Sequence, residues 1–588
     1  MQAMILLPVF LPVFLPMLLA PFAARLEKQR PDQGMKLTLI GVAITFALCL
    51  GLFISATLKH NVTFGFTNLL FVGLSFEADF FRSIYSVVAS FMWLISLMMV
   101  PEYMPNKRPR YLFFSLMTLG ATLGLFLAND LVTCFIFFEI MSFTSYPWVA
   151  QEETPEAMRA AQTYLAIAVF GGMCILFGLW LLYPLTGGYN YAHLKTVLST
   201  QTPTASLYIA SALMALGFGA KAGMFPVHIW LPKAHPVAPA PASALLSGVL
   251  TKAGIWGILV VATRLLPGNL PFSNVLLVIG TITMFLGALL ALFSIDLKRT
   301  LACSSMSQIG FIIVGAAIHS LLGEHNAIPA SGIVLHMLNH SLIKLTLFLA
   351  AGAVYMGLHK LNLNDVRGFG RKKPFLHLCF LAGAASISGI PGFSGYISKT
   401  LLHESIIEYI VELQAHGQGA GLYQVVEWIF TISGGFTFAY MLKLYICLFW
   451  EKPSATVLAA PQTDLQPLSR IALTIAAAVL FVFGLFPHQI MEKAGMLSSP
   501  FLQSQAMHPV AYSAFVNLKG QFISLAIGLL LYLLIVQTFL SKKEEDGRIY
   551  LNRWPECIDL EDGVYRPAIQ KLAEGLGKVA QAVSLEKN

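Results

Sequence analysis

Apolar runs of about twenty residues recur along this 588-residue chain, separated by short polar connections. That length is what a helix needs to cross the hydrocarbon of a bilayer. Such runs lie near Met4–Ala24, Leu37–Leu58, Phe80–Val100, Leu112–Leu127, Leu131–Ala150, Tyr164–Tyr183, Leu207–Trp230 and Ala242–Thr263. They continue near Asn274–Leu292, Leu301–His319, Gly332–Met356, Phe375–Ile410, Val425–Phe449, Ile471–Phe486 and Phe522–Leu540. The pattern predicts an all-α polytopic membrane protein of about 15 transmembrane helices. Two of the runs are interrupted by glycine and proline, the seventh over Gly217–Pro232 and the twelfth over Ser386–Lys399. A broken helix exposes unpaired backbone groups, tolerable at membrane depth only against protein or water. Breaks at matching places suit two inverted five-helix repeats, with an ion site near mid-membrane. The expected organisation is N-terminal helices over 1–110, a first repeat over 111–265, a second over 270–450, further helices over 465–541 and a cytoplasmic tail over 542–588. In that tail Ile569, Leu572, Leu576, Val579 and Val583 recur at helical spacing, which predicts a short amphipathic helix.

Composition agrees: 57% of residues are hydrophobic and 11% charged, against about 25% charged in a soluble domain. The net charge of +8 does not indicate nucleic acid. The basic residues gather in alternate short connections, at Arg25, Lys28, Arg30 and Lys36, at Lys107, Arg108 and Arg110, at Lys298 and Arg299, and at Arg367, Arg371, Lys372 and Lys373. By the positive-inside rule those loops and the tail are cytoplasmic and the N-terminus is outside, in a prokaryotic inner membrane. The first run lacks a basic n-region and a cleavage site, so it reads as a retained span. Six cysteines lie in apolar runs and Cys557 in the tail, without zinc or iron–sulfur spacing. No cofactor is expected in the chain itself.

Ionisable residues deep in a span cost about 2.5–3.5 kcal/mol each on insertion scales, and mark function more often than structure. Glu139 sits mid-span among aromatics, and Lys221 immediately before the first break. A carboxylate beside a buried ammonium helps it keep its proton, and withdrawal of the carboxylate favours release, so the pair suits a switch. Lys252 is mid-span. His336, His340 and Lys344 recur at i, i+4 and i+8 and share one helix face. Histidine titrates near neutrality, so this stripe suits a proton relay. Lys399 follows the second break, and Glu404 lies about a turn further on, a candidate exit. Lys298 and His228 are weaker relay candidates, and Lys233, His235 and Lys443 are ambiguous. A haem site would need ligands on facing helices, and only the His336–His340 pair offers itself.

Four stretches together resemble the antiporter-like subunits of respiratory complex I, multisubunit cation/proton antiporters and membrane-bound hydrogenase or formate hydrogenlyase complexes. They are Phe137–Tyr146, Ala220–Gly248, Asp296–Phe311 and His336–Gly352, with Asn364–Pro374 soon after. The resemblance implies fourteen core helices around a hydrophilic axis at mid-membrane. It implies that Glu139 is the coupling glutamate, Lys221 the broken-helix lysine, Lys252 the next stop, His336, His340 and Lys344 the central relay, and Lys399 the residue near the exit. The chain departs from the largest complex I member in its short tail after Leu540, and in having Thr400 rather than an acid directly after Lys399. The expected function is proton translocation from cytoplasm to outside in a redox-driven complex, with redox cofactors in peripheral partner subunits and other membrane subunits and lipid as neighbours. The alternatives are a sodium/proton antiporter subunit, with Ser142, Thr144 and Ser145 near Glu139 as oxygen donors, and a non-conducting scaffold.

Overall fold

The computed structural model describes residues 2–575 apart from 67–72, 325, 462–463, 505–509, 546, 556–558, 569–570 and 572–573. Among the described residues, thirteen helices are long and apolar enough to cross a membrane, against about 15 expected; Arg108–Phe126 and the shorter Pro374–Ser388 are not among the thirteen. The first group is α1 (Gln2–Gln29), α2 (Gln33–Thr57), α3 (Phe80–Tyr103), α4 (Arg108–Phe126) and α5 (Leu131–Val149). Then come α6 (Pro155–Thr186), the short α7 (Tyr191–Leu198), α8 (Ala205–Ala222), α9 (Trp230–Val237) and a continuous helix α10 (Ala240–Leu265). Next are α11 (Leu270–Phe293), α12 (Leu297–Leu322), α13 (Ile328–Leu358), the one-turn α14 (Leu363–Val366), α15 (Pro374–Ser388), α16 (Ser394–Ala415) and α17 (Gly421–Phe449). After the short α18 (Ala455–Ala459) follow α19 (Pro467–Leu485), the short α20 (Lys493–Ser498) and α21 (Phe515–Leu531). Two hairpins that the apolar pattern does not announce complete it, β1 (Val62–Phe66) with β2 (Leu74–Ala78), and β3 (Ser541–Glu544) with β4 (Gly547–Tyr550). Both lie in connections between or beyond the apolar runs, where a twenty-residue hydropathy pattern carries no strand information. The residues that predicted the amphipathic tail helix (Ile569, Leu572, Leu576, Val579 and Val583) fall outside the described residues.

Burial grades from the rim to the centre. The apolar stretches of α10 and α12 are wholly buried, whereas most of the residues in those of α1, α2, α6 and α21 are only partly buried or exposed. An apolar helix face left open in this way meets lipid or a neighbouring subunit. The central helices therefore carry side chains that never touch the bilayer, and there polar groups are affordable if they are hydrogen-bonded.

Both interruptions are built alike. Helix α8 ends at Gly223 in the left-handed region (φ 81°), with Met224 N–H donating to Gly219 O at 2.9 Å. Helix α15 ends at Gly389 (φ 72°), with Ile390 N–H donating to Ala385 O at 3.1 Å. Each is the six-to-one bond of a glycine-terminated helix. Side chains satisfy the freed carbonyls. Trp230 Nε1 donates to Ala220 O (2.7 Å), Lys399 Nζ to Ile387 O (2.8 Å) and Gln521 Nε2 to Ser388 O (3.0 Å). A second feature recurs as well. Asp130 caps α5 and its backbone bridges to Asn190, while Asp296 caps α12 and bridges to Asn362.

Candidate functional site: a buried line of lysines and histidines

Six lysines are buried: Lys221, Lys252, Lys298, Lys344, Lys399 and Lys443. Among the described residues none of them makes an ion pair. An unpaired buried charge is expensive, so each ammonium must be held by neutral acceptors or carry its proton only part of the time.

The first cluster sits where α5, α6 and the end of α8 meet. Lys221 Nζ donates to Tyr164 Oη at 2.6 Å and lies 4.8 Å from the centre of that ring. Tyr164 Oη and Ser145 Oγ are 2.5 Å apart. Glu139 is half-buried, and its Oε1 is buried without a hydrogen-bond partner. Its carboxyl lies over Gly172, where an added Cβ would come within 2.2 Å of Oε1. Glu139 and Lys221 thus share a neighbourhood without direct contact, and Tyr164 takes the place by the ammonium that the sequence assigned to the glutamate.

The central cluster joins α10, α12, α13 and α16. Lys252 Nζ is hydrogen-bonded to His340 Nδ1, and donates to Ser247 O at 2.9 Å. That carbonyl is available because Leu246–Leu250 forms a π turn, a local widening that frees backbone acceptors and often marks function. His340 Nε2 is buried and free of partners. The His336 ring is nearly parallel to that of His340, centroids 6.4 Å apart. His336 Nε2 meets Gln308 Oε1 at 3.1 Å and its Nδ1 meets Ser398 Oγ at 3.0 Å. Asn339 Nδ2 donates to the same Ser398 Oγ at 3.1 Å. Lys344 donates to Leu301 O at 2.7 Å and to Ser304 Oγ. The predicted face of α13 is therefore real: His336, His340 and Lys344 all point inward, each toward a different partner.

The remaining candidates separate. Lys298 donates to Ala238 O (2.9 Å) and Tyr103 Oη (3.2 Å), buried rather than in an open loop. His235 is fully buried with both ring nitrogens unpartnered, stacked 5.0 Å from Phe348. His228 is buried in the first break, its ring 5.9 Å from Phe225 and its Nδ1 unpartnered. Lys233 instead turns outward, to Glu561 at 2.7 Å and Asp559 at 3.3 Å in the tail. Lys443 donates to three backbone carbonyls, Ala291 O (3.1 Å), Leu292 O (2.7 Å) and Ser294 O (2.6 Å). These close the C-terminal end of α11, where carbonyls lack intrahelical partners and the helix dipole is negative. Lys443 therefore has a sufficient architectural role. Lys399 holds the end of α15 and borders a cavity of about 30 Å³ shared with His403. Glu404 is half-buried and does not border that cavity.

Sequence reading missed Tyr164, Gln308, Asn339 and Ser398, and named Ser145 only as an oxygen near Glu139, not as the partner of Tyr164. Hydroxyl and amide side chains are common in apolar helices, and spacing alone does not tell which one faces a lysine from another helix.

Residues 128–415 match the family described as NADH:quinone oxidoreductase/Mrp antiporter, TM. An NAD(P)H-quinone oxidoreductase chain 4 of Synechococcus sp. (strain JA-3-3Ab) is 30% identical over 398 residues, 67% of this chain and 73% of that protein. The chain belongs to this family. Within it, an Na(+)/H(+) antiporter subunit of Alkalihalophilus pseudofirmus (strain ATCC BAA-2126 / JCM 17055 / OF4) is 28% identical over 466 residues, 78% of this chain and 89% of that one. The fold is also that of a chain in the Mrp complex from Dietzia sp. DQ12-45-1b, with a TM-score of 0.81 at 21% identity. That match covers 98% of this chain and 60% of the other. An antiporter-like family member accounts for the many apolar helices, and the chain is a multi-pass membrane protein.

Proposed function

We propose that this chain is the proton-translocating membrane subunit of a multisubunit complex of the complex I or membrane-bound hydrogenase type. The observation that carries the reading is the line of buried lysines and histidines held by neutral acceptors: Lys221 on Tyr164, Lys252 on His340, Lys344 on Ser304. Lys443 caps a helix end, but a scaffold gains nothing from Lys221, Lys252 and Lys344, each costly to insert. The relay runs from Glu139 and Lys221 through Lys252, His340 and His336 to Lys399, with Lys344 and Lys298 as its branch toward the other membrane face. Glu139 gates it. Its carboxylate swings from the pocket over Gly172 toward Lys221, stabilises the ammonium there, and on withdrawal frees the proton to move on. The two identically capped breaks support an inverted-repeat reading, each half-helix end offering a polar terminus at membrane depth. Driving energy comes from partner subunits. Protons move from the cytoplasm to the outside, with the basic loops and the tail on the cytoplasmic face.

Sodium/proton antiport remains the second reading, favoured by the named activity of the Alkalihalophilus relative. Sodium needs a cluster of free oxygens. Of the three hydroxyls near Glu139, Ser145 is engaged with Tyr164 and Thr144 donates to Ile140 O at 2.7 Å, which leaves Ser142. Proton transport fits these partners better.

The test is ion uptake by inverted vesicles carrying the whole native complex, with proton and sodium followed separately and assembly checked on a native gel. Assembled Glu139→Gln and Lys221→Ala complexes lose at least nine-tenths of proton uptake. Wild-type rates in both variants would leave the scaffold reading in place.

A further inference from the structure

The relay needs a way out beyond Lys399, and the sequence nominated Glu404 for it. The geometry points elsewhere. Lys399 is 4% exposed, its Nζ held by Ile387 O at 2.8 Å and 5.1 Å from the centre of the Phe311 ring. Beside it is the cavity of about 30 Å³, walled by Phe311 and Phe430. That is room for a water molecule with polar partners. His403 follows Lys399 by four residues, so both occupy one face of α16, and His403 borders the same cavity. On its far side His403 Nε2 meets Glu427 Oε1 of α17 at 3.0 Å. Exposure rises along this order. The His403 side chain is 20% exposed and that of Glu427 25%. The three groups thus step from the buried interior, at Lys399, to side chains of α16 and α17 that are partly exposed. Glu404 is rotated about 100° around the helix from His403 and does not reach the cavity.

We infer that protons leave the relay from Lys399 through the small cavity to His403 and then Glu427, with Glu404 off the path. This rests on the proton-translocation reading above. The step balances without any co-reactant. The Lys399 ammonium gives a proton to a water in the cavity as that water gives one to His403 Nδ1. His403 then releases its Nε2 proton to Glu427 Oε1, and the carboxyl loses it to bulk water. Lysine ends neutral, the imidazole ends as its other neutral tautomer and resets by turning its ring, and one proton has crossed. An imidazole is suited to this because one nitrogen accepts while the other donates.

A His403–Glu427 contact that merely pins two helices would have the same appearance, so the test must separate the two. The native complex in inverted vesicles is energised by its own electron donor, with proton movement read as membrane potential, because added imidazole dissipates a pH gradient but not a potential. Assembled His403→Ala is expected to lose at least nine-tenths of the signal and to regain a substantial part with imidazole, which restores a proton carrier but no helix contact. Glu427→Gln fails likewise, Glu427→Asp retains most of the signal, and Glu404→Gln stays near wild type. Should His403→Ala not assemble, His403→Gln, which keeps a donor toward Glu427, takes its place, and a wild-type signal from it overturns the outlet. A wild-type signal from His403→Ala, or an assembled but dead variant that imidazole leaves dead, also overturns it. Glu139→Gln runs alongside. If it is silent while the His403 variants pump, only the outlet is wrong; if it too pumps at the wild-type rate, the relay itself falls.

Discussion

At the scale of single residues, the decisive feature is what holds each buried lysine. Tyr164 stands between Ser145 and Lys221 and is itself buried, its ring packed 5.0 Å from Trp230 in an edge-on contact. Tyr164→Phe keeps that packing and removes only the hydroxyl. Hydrogen bonds to charged groups are worth about 1.5–3 kcal/mol, so a ten- to hundredfold fall in proton uptake is expected with assembly unchanged. Uptake assays on the gel-verified complex check it. Lys443 makes the contrast. Its three carbonyl acceptors close the end of α11, so Lys443→Met leaves them unsatisfied in the interior. The expected result is a lower yield of assembled complex, and normal uptake per assembled complex. Loss of uptake from fully assembled Lys443→Met would instead put it in the relay.

At the scale of elements, close helix approach fixes where the groups face each other. Helices α6 and α8 cross at Gly171 and Gly217, where a Cβ on Gly217 would lie 2.4 Å from Gly171 O. One position along α6, Gly172 leaves the hollow that receives the Glu139 carboxyl. The two glycines therefore have different work, one in packing and one in housing a moving side chain. Gly172→Ala places a methyl group against Glu139 Oε1, so the carboxylate is driven from its pocket while α6 still packs on α8. The expected outcome is an assembled complex with uptake reduced toward that of Glu139→Gln; wild-type uptake would mean that Glu139 does not use the pocket. The π turn of α10 belongs to this scale too. It brings the Ser247 carbonyl to Lys252 five residues on, a placement a regular helix does not give.

Over the whole molecule, the chain after α21 is fastened both to residues 364–451 and to residues 163–233. The β3–β4 hairpin is fastened to the second half, with Tyr550 N–H donating to Asn364 Oδ1 at 2.7 Å and Tyr550 Oη to Glu451 Oε1 at 2.9 Å. Further along, Glu561 is 2% exposed, accepts from Thr163 Oγ1 (2.9 Å) and Arg566 Nε (2.8 Å), and is ion-paired with Lys233 (2.7 Å). Tyr565 Oη donates to Pro226 O in the first break at 2.7 Å. Removing one partner of a buried ionic cluster costs about 3–5 kcal/mol. Glu561→Ala is thus expected to free the strap, seen as faster proteolytic clipping of the tail in the detergent-solubilised complex. Acid acts in the same direction. Burial alone raises the Asp559 carboxyl, but Lys233 and backbone amides outweigh it and hold it below its usual range. A lowered carboxylate stabilises the docked strap above its free value near 4 and stops doing so as pH falls through the folded one. Clipping is expected to be flat from pH 8 to 5 and to rise below about 4; a rise between pH 7 and 6 would point to a different latch.

Much of this was legible in the amino-acid sequence because the bilayer is an unforgiving solvent. Twenty-residue apolar runs become helices since a helix is the form in which a single segment satisfies its own backbone in hydrocarbon. Gly223 and Gly389 mark breaks since they adopt the left-handed region at little cost. Glu139, Lys252 and His340 stand out because charge is rare there. Spacing on one helix also placed His336, His340 and Lys344 on one face. Element types, breaks and the cast of ionisable residues were thus set along the chain itself. The pairings needed the folded molecule, because they join helices far apart in the chain: Lys221 to Tyr164, Lys252 to His340, His336 to Gln308, His403 to Glu427. A hydroxyl or an amide in an apolar run carries no mark of the helix it will face, and whether a lysine such as Lys443 conducts or merely caps depends on which carbonyls folding brings within reach of its three hydrogens.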